Sequence, residues 1–490
     1  MDDLNSLRQV RVDKLNDLIK LGINPYPAKS NRTHTTKEAA EGFKALAKSG
    51  KKIVLTGRLM SKREHGGLIF SEIKDDSGSL QVLFKKDELS SKLWSILVDK
   101  IDIGDFVEVS GKLFLTKRKE QTLAVNKFEI LAKALRPLPE KWYGLTDHET
   151  RFRQRYLDVL MNSEVKERFI TAHKITQAIR GFLVDQGFIE VNTPALQVLP
   201  GGAIATPFKT HYDAFDTDVY LRIAPELYLK RLIIGGYEKV FEFARVFRNE
   251  GVSIQHLQDF TMLEFYQAYA TYEDLMKLTE KMLSQVIKEV KGSLKVEYQG
   301  KTIDFKTPWP VKSFRDLILK ETKIDIDKYP SVTDLAKAIK AKKINLKYQG
   351  KTNRGKLIDE LYKEQVRPKI VNPMFLVDHP LDLSPLAKKK ETDPNKVQRF
   401  QLVVNGWEVV NAFSELNDPI DQKERFDEQA KFKAGGDEEA HSMDDEFVKA
   451  LEYGMPPTAG WGMGMERLIA LLTDADSIRE AVLFPFVKEK

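Results

Sequence analysis

Between Ile53 and Leu131 the chain breaks into short β-rich runs, each closed by turn chemistry, and this stretch limits its fold more than any other feature. Ile53–Leu59, Leu68–Ile73, Leu80–Phe84, Phe106–Phe114 and Thr122–Ile130 read as five strands. Gly66-Gly67, Asp75–Gly78, Gly104-Asp105 and Lys117–Gln121 supply the turns, and a helical run, Leu89–Asp99, precedes the fourth strand. Five strands with a helix before the fourth is the order of an OB barrel, a fold that binds oligonucleotides on an open sheet face.

Helical spacing over residues 4–21 stops at Gly22, with Pro25 and Pro27 beyond it. A linker holding Arg136-Pro137-Leu138-Pro139 follows the barrel. Next comes a long helix, about Ser163 to Gln186, capped by Asn162/Ser163 and ended by Gly187. An α/β region then runs to the C-terminus, with a Lys-rich helical insertion at about 290–400. The expected architecture is α+β and multidomain: a helical extension (1–50), a five-stranded OB barrel (51–135), a linker (136–162) and a large domain (163–490).

Length and composition agree with this. A chain of 490 residues exceeds one ordinary domain, and 42% hydrophobic with 31% charged residues suits a large core. Cysteine is absent, which excludes disulfides, thiol nucleophiles and cysteine-ligated zinc. The longest uncharged run, Val191 to Phe208, is broken by prolines and glycines, and Met1-Asp2-Asp3-Leu4 does not open a signal peptide. A cytoplasmic protein with no membrane segment is expected. Residues 1–150 hold 27 Lys/Arg against 21 Asp/Glu, while the other 340 hold 51 of each, so the whole +6 surplus lies in the N-terminal third. A polyanion partner there, or simple unevenness of surface charge, explains it equally.

Three blocks after residue 185 carry chemistry. Gln186-Gly-Phe-Ile-Glu-Val-Asn-Thr-Pro194 is a helix end, a strand and a proline, a common structural device by itself. In Phe243-Ala-Arg-Val-Phe-Arg-Asn-Glu250, alternation puts Arg248 and Glu250 on one strand face; Phe260, Met262, Glu264 and Tyr266 share a face of a second strand. Cation, carboxylates and rings there suit a nucleotide, although a salt-bridged exposed face would look the same. Gly460-Trp-Gly-Met-Gly-Met-Glu-Arg467 allows close backbone approach and places Arg467 in the first turn of a helix.

Together the blocks resemble the three signatures of class II aminoacyl-tRNA synthetases: strand-Pro, strand-loop-strand with Phe-Arg-x-Glu, and Gly-x-Gly-x-Glu/Asp-Arg before a helix. The resemblance to the lysyl type runs over essentially the whole chain, through Arg151-Phe-Arg-Gln-Arg-Tyr-Leu-Asp158, Leu221-Arg-Ile-Ala-Pro-Glu-Leu-Tyr-Leu-Lys230, Asn411-Ala-Phe-Ser-Glu-Leu-Asn-Asp418 and Pro456-Pro-Thr-Ala-Gly460. It implies that lysine is activated with ATP and Mg2+ and then joined to tRNA(Lys) by a homodimeric enzyme. By resemblance, Arg248 bridges the lysine carboxylate and the α-phosphate, Glu250 holds the adenine amino group, and Phe260 stacks on the base with Arg467 on its other face. His256 is placed for the γ-phosphate, and Glu408 and Glu415 match magnesium carboxylates.

The mapped amino-acid pocket contains Gly202, Glu226, Glu264, Tyr266, Asn411, Phe413 and Glu415. Gly202, Glu226 and Glu264 are expected at the α-amino group, and Glu415 with Tyr266 at the ε-ammonium; Glu415 is thus claimed by metal and substrate alike. This surplus of carboxylates argues against an aspartate or asparagine ligase, whose substrate side chain carries no cation. Retained Arg248, Glu250, Glu408, Glu415 and Arg467 argue against a non-catalytic RNA-binding regulator. The barrel argues against a truncated relative that modifies proteins. One departure stands out. The family usually reads His-Asn-Pro-Glu-Phe where this chain has His256-Leu-Gln-Asp-Phe260. In the barrel, Phe70, Gln81 and Phe84 occupy positions where anticodon bases stack and are read, with Gln81 the expected discriminator.

Overall fold

The computed structural model describes residues 2–139, 147–203, 205–251, 253–254, 256–346, 353–434 and 444–488. It divides into two compact units, Met1–Asp147 and His148–Lys490.

In the first unit the helix Asp2–Lys20 ends at Gly22, whose left-handed φ of 74° closes it. The helix Thr36–Glu41 begins with a capping box between Thr35 and Glu38. Strands Ile53–His65, Leu68–Lys74, Ser79–Lys85, Phe106–Leu115 and Gln121–Ala132 then form a closed barrel, in the spatial order first, second, third, fifth, fourth. The helix Ser91–Asp99 precedes the fourth strand and is capped by the Ser90 side chain. At Gly111 a Cβ would overlap the Ala124 carbonyl, so glycine is what lets the fourth strand press against the fifth. Lys133, fully buried, donates to Asp102 at 2.6 Å and to Asp105 at 2.7 Å, fastening the segment that follows the fifth strand to the 101–105 turn.

The barrel interior holds Leu55, Ile69, Ile73, Val82, Val109 and Phe84. Phe84 is 1% exposed and packs edge-on against Phe128 with centroids 5.8 Å apart. Its expected role as a stacking surface for a base is therefore corrected. Phe84 lies opposite Ile69, whereas Phe70 lies opposite Leu83, and neighbouring positions on a strand face opposite ways. Phe70 is half-buried. Gln81, opposite Glu72, is held by Glu120 at 2.9 Å and by the Thr122 hydroxyl at 2.7 Å.

The second unit is built on an eight-stranded sheet in the order 311–313, 374–377, 399–404, 407–414, 458–464, 259–268, 239–247, 189–190. It is antiparallel through the middle and parallel at both edges. One face is covered by the helices Ser163–Asp185 and Tyr272–Lys291, which bury Ile179, Phe182, Leu275 and Met282 against Phe241, Phe265 and Trp461. Burying apolar side chains of this size contributes roughly 1.5–3 kcal/mol each. The Trp461 ring stacks on Phe265 at 4.7 Å and its indole N–H donates to the Thr279 hydroxyl. The other face carries the cavity described below.

Two expected boundaries shift. Residues 148–162 are not linker: His148–Arg153 and Arg155–Met161 are helices of the second unit, and buried Arg155 bonds Asp158 and the Leu483 carbonyl. Nor is 290–400 a purely helical insertion. Val311–Ser313 and Met374–Val377 are strands of the main sheet, and a hairpin forms at 295–304. The helices Phe314–Thr322, Val332–Ala341 and Arg354–Gln365 share a satellite core that docks through Leu376 and Val403. The apolar residues Val165, Ile175, Ile179, Phe182 and Leu183 of the helix Ser163–Asp185 are buried within the unit. Exposed apolar side chains lie at Val184 in the last turn of this helix and, beyond it, at Ile189, Leu196, Val198 and Leu199. Among the described residues, no helix is long and apolar enough to cross a membrane.

Candidate active site

Strand parity builds the site. On 259–268, Leu263 and Phe265 enter the core, while Phe260, Met262, Glu264 and Tyr266 face a cavity of about 810 Å3. On 458–464, Trp461 and Met463 face the core, and Gly460, Gly462 and Gly464 face the cavity. A Cβ at Gly460 would overlap Glu415 Oε1 and the Tyr266 ring, so this strand approaches its neighbours only because it is bare there. Gly202 has φ of 85°, and a Cβ on it would fall 2.9 Å from Cβ of Glu226.

One end of the cavity is cationic. Arg248, just past the strand 239–247, lies over the Phe260 ring at 5.2 Å and reaches the Ile223 carbonyl only at 3.4 Å, which leaves it available to a ligand. Arg467 donates to the Glu408 carbonyl at 2.8 Å from the first turn of the helix Met465–Leu472. His256 lies 2.8 Å from the Ser253 hydroxyl. Burial lowers its pKa, and Arg467, Arg367, Lys363 and Arg248 lower it further, so it is neutral at pH 7 within a positive field. Glu250 and Glu408 also line this end. Leu257, at the departure from the family pattern, is 6% exposed and packs into the main core.

The other end is acidic. Glu226, Glu264 and Glu415 are all buried. Lys230 is buried with them, its Nζ 2.6 Å from Glu226 Oε1 and 2.5 Å from Glu415 Oε2. Tyr266 donates to Glu264 at 3.2 Å. Burial raises all three carboxyl groups; Glu264 goes well above its usual value, and Glu415 to about 8 even though Lys230 pulls it down. Three carboxylates with one ammonium form a site that lacks positive charge.

Of the residues singled out from sequence, Gly202, Glu226, Arg248, Glu250, His256, Phe260, Glu264, Tyr266, Glu408, Asn411, Phe413 and Arg467 line this one cavity. Glu415 is corrected as a metal ligand. It is paired with Lys230, and it stands seven residues along the chain from Glu408, about 23 Å of extended backbone. Sequence reasoning missed Lys230, Arg399 and the helix Arg354–Gln365, whose Lys356, Asp359 and Lys363 reach the cavity. The only available signal for Lys230 was its place one helical turn after Glu226.

Residues 147–488 match the family model described as tRNA synthetases class II (D, K and N), and residues 53–131 match that for the OB-fold nucleic acid binding domain. The lysine–tRNA ligase of Pelotomaculum thermopropionicum is 47% identical over 489 residues, covering 100% of this chain and 96% of that protein. Those of Carboxydothermus hydrogenoformans and Thermotoga maritima are 47% and 46% identical, with 99% and 97% of their lengths covered. The chain belongs to the lysine–tRNA ligase family of class II synthetases. Enzymes of this class use ATP, and Mg2+ is typical of them. Among the described residues, no group of three or more metal-capable side chains comes together in this synthetase. Glu408, an oxygen donor at the cationic end, still fits Mg2+, which takes one or two carboxylates and completes its shell with phosphate oxygens and water.

Proposed function

We propose that this synthetase joins L-lysine to tRNA(Lys) with ATP, through lysyl-adenylate. One observation carries the reading: the cavity has a cationic end at Arg248, His256 and Arg467 and an acidic end at Glu226 and Glu264, with Glu415 buried behind them against Lys230. A triphosphate suits the first and a diamino acid the second. Lysine lies with its α-ammonium at Gly202, Glu226 and Glu264 and its ε-ammonium between Tyr266 and Glu415, flanked by Asn411 and Phe413. Its carboxylate oxygen attacks the α-phosphorus, the bond to the bridging oxygen breaks, and pyrophosphate leaves. Arg248 spans carboxylate and α-phosphate and stabilises the charge that develops between them. Phe260 and Arg467 hold the two faces of the adenine ring and Glu250 its amino group, while neutral His256 takes the γ-phosphate. Mg2+, held by Glu408, supplies charge neutralisation when bound. A hydroxyl of the tRNA 3′-terminal ribose then attacks the lysyl carbonyl, and AMP departs. No enzyme nucleophile is required.

Phe70 and Gln81 are the proposed anticodon contacts, on the barrel's outer face. The exposed apolar side chains between Val184 and Leu199 support a homodimer. The cytoplasm is the proposed compartment. The deciding experiment is ATP–pyrophosphate exchange with each of the twenty amino acids. Lysine should drive it, and a better rate with aspartate or asparagine refutes the pocket assignment.

A further inference from the structure

The helix Glu226–Ile234 places Lys230 one turn after Glu226, with its side chain wholly shielded from solvent. Its Nζ is 2.6 Å from Glu226 Oε1 and 2.5 Å from Glu415 Oε2, and it lies 5.8 Å and 5.7 Å from the ring centroids of Phe413 and Phe447. A clip that served only to fix the helix would be complete with one carboxylate. Here a single ammonium is shared between two, and a third carboxyl group, Glu264, stands nearby and accepts from the Tyr266 hydroxyl. Buried charge left in excess is costly, so this grouping is built for cations that arrive from outside.

We propose that Lys230 is a positioning residue for the amino-acid substrate, a fixed ammonium that spreads Glu226 and Glu415 and leaves the pocket two carboxyl groups beyond the one it balances, the number that the two ammonium groups of an α,ω-diamino acid hold ionised on arrival. It takes one oxygen from each partner. Among the described residues neither Glu415 oxygen has a well-directed hydrogen bond; Oε2 lies against the Lys230 ammonium, and Oε1 lies in the space that Gly460 keeps clear beside Tyr266. That oxygen is the acceptor for the substrate's terminal ammonium, and its direction is set by the grip of Lys230 on Oε2. A monoamino acid supplies an ammonium for only one of the two and forgoes the second ion pair, which is the ground for its rejection. The proposal deepens the lysine reading of the site and rests on it.

The test is pyrophosphate exchange by the full chain with Lys230→Met, which keeps length and loses charge, and Lys230→Arg, which keeps charge. Lys230→Met should raise KM for lysine by about thirtyfold or more, as expected when one partner of a buried charge cluster is truncated. KM for ATP should stay near the parent's, and Lys230→Arg should recover most of the lysine affinity. A lysine KM unchanged in Lys230→Met overturns the proposal. So does a parallel rise of both KM values, which marks a general loss of structure, or equal impairment in the two variants, which marks shape rather than charge. Should Lys230→Met fail to fold, Lys230→Arg decides: near-parental lysine KM supports the role, and a large rise with ATP KM unchanged removes it. A parent enzyme that does not exchange with lysine refutes the substrate reading itself, before any variant is compared.

Discussion

Glu466 Oε1 accepts the backbone N–H of Thr261 at 2.9 Å, tying the first turn of the helix that carries Arg467 to the strand that carries Phe260 and Glu264. Arg245 Nη1 reaches the same oxygen at 3.4 Å and also pairs with Asp259. Glu466→Ala should destabilise the second unit by about 1–3 kcal/mol, because the partly buried Thr261 N–H and Arg245 lose an acceptor. KM for ATP should rise more than KM for lysine. Chemical denaturation and exchange kinetics on the same preparation check this, and an unshifted ATP KM removes the positioning role.

Arg248→Ala should cost about 2.7–4 kcal/mol in the exchange rate, the loss expected when one donor to developing charge is removed. Its long contacts to Ile223 contribute little to stability, so the melting temperature should hardly change. A rate close to the parent's would take Arg248 out of the mechanism.

In the first unit, Asp75 accepts from Thr36, Ser77 and Arg32. Burial alone would raise its pKa, but the hydrogen bonds from Thr36 and Ser77 outweigh it and bring the value to about 2. Its folded value is below the unfolded one, so its contribution is present above about pH 4 and is lost as pH falls towards 2. Hydrogen exchange of the barrel amides should therefore accelerate through that window. In Asp75→Asn the same amides should be less protected at pH 6 and depend less on acid. Identical profiles would show that the carboxylate does not brace the barrel.

Phe70→Ala and Phe84→Ala should fail in different ways. Phe70→Ala should weaken tRNA binding by roughly 1–3 kcal/mol through lost stacking and leave lysine-dependent exchange intact. Phe84→Ala should open a cavity in the barrel and cost about 3–5 kcal/mol of stability. Gel-shift affinity, barrel melting and exchange, measured side by side, separate the two. Normal tRNA affinity in Phe70→Ala would refute that contact.

Light scattering at micromolar concentration should give twice the chain mass. Leu199→Glu places a charge among the exposed apolar side chains and should shift the species towards one chain mass. A parent that scatters as a monomer disproves the dimer.

What could be read from the sequence follows from where each interaction lies. The cavity face of 259–268 was legible because Phe260, Met262, Glu264 and Tyr266 alternate, and a strand turns alternate residues the same way. Phe84 was misplaced because its direction depends on register, which only the pairing of Phe84 with Ile69 reveals. Lys230 was missed because its second partner, Glu415, lies 185 positions away and no local pattern records the ion pair. Residues 148–162 passed for linker because the burial of Arg155 depends on carbonyls at the far end of the chain. The Asn162 cap was half right. Asn162 stands at the helix start, but its amide bonds back to Asp158 and makes no side-chain cap.

The strand Thr458–Gly464 also bears on how the pocket could be redesigned. Bare backbone has no side chain to trim, so this wall cannot be moved outward to admit a bulkier amino acid; room must come from Met262 or Phe413 on the two neighbouring strands. Position 460 is closed to any change by Glu415 and Tyr266. Position 462 meets only ordinary van der Waals contact, at 3.6 Å from Glu264, so a methyl group there would shorten the chamber. On this wall, substitution can only restrict the range of amino acids admitted.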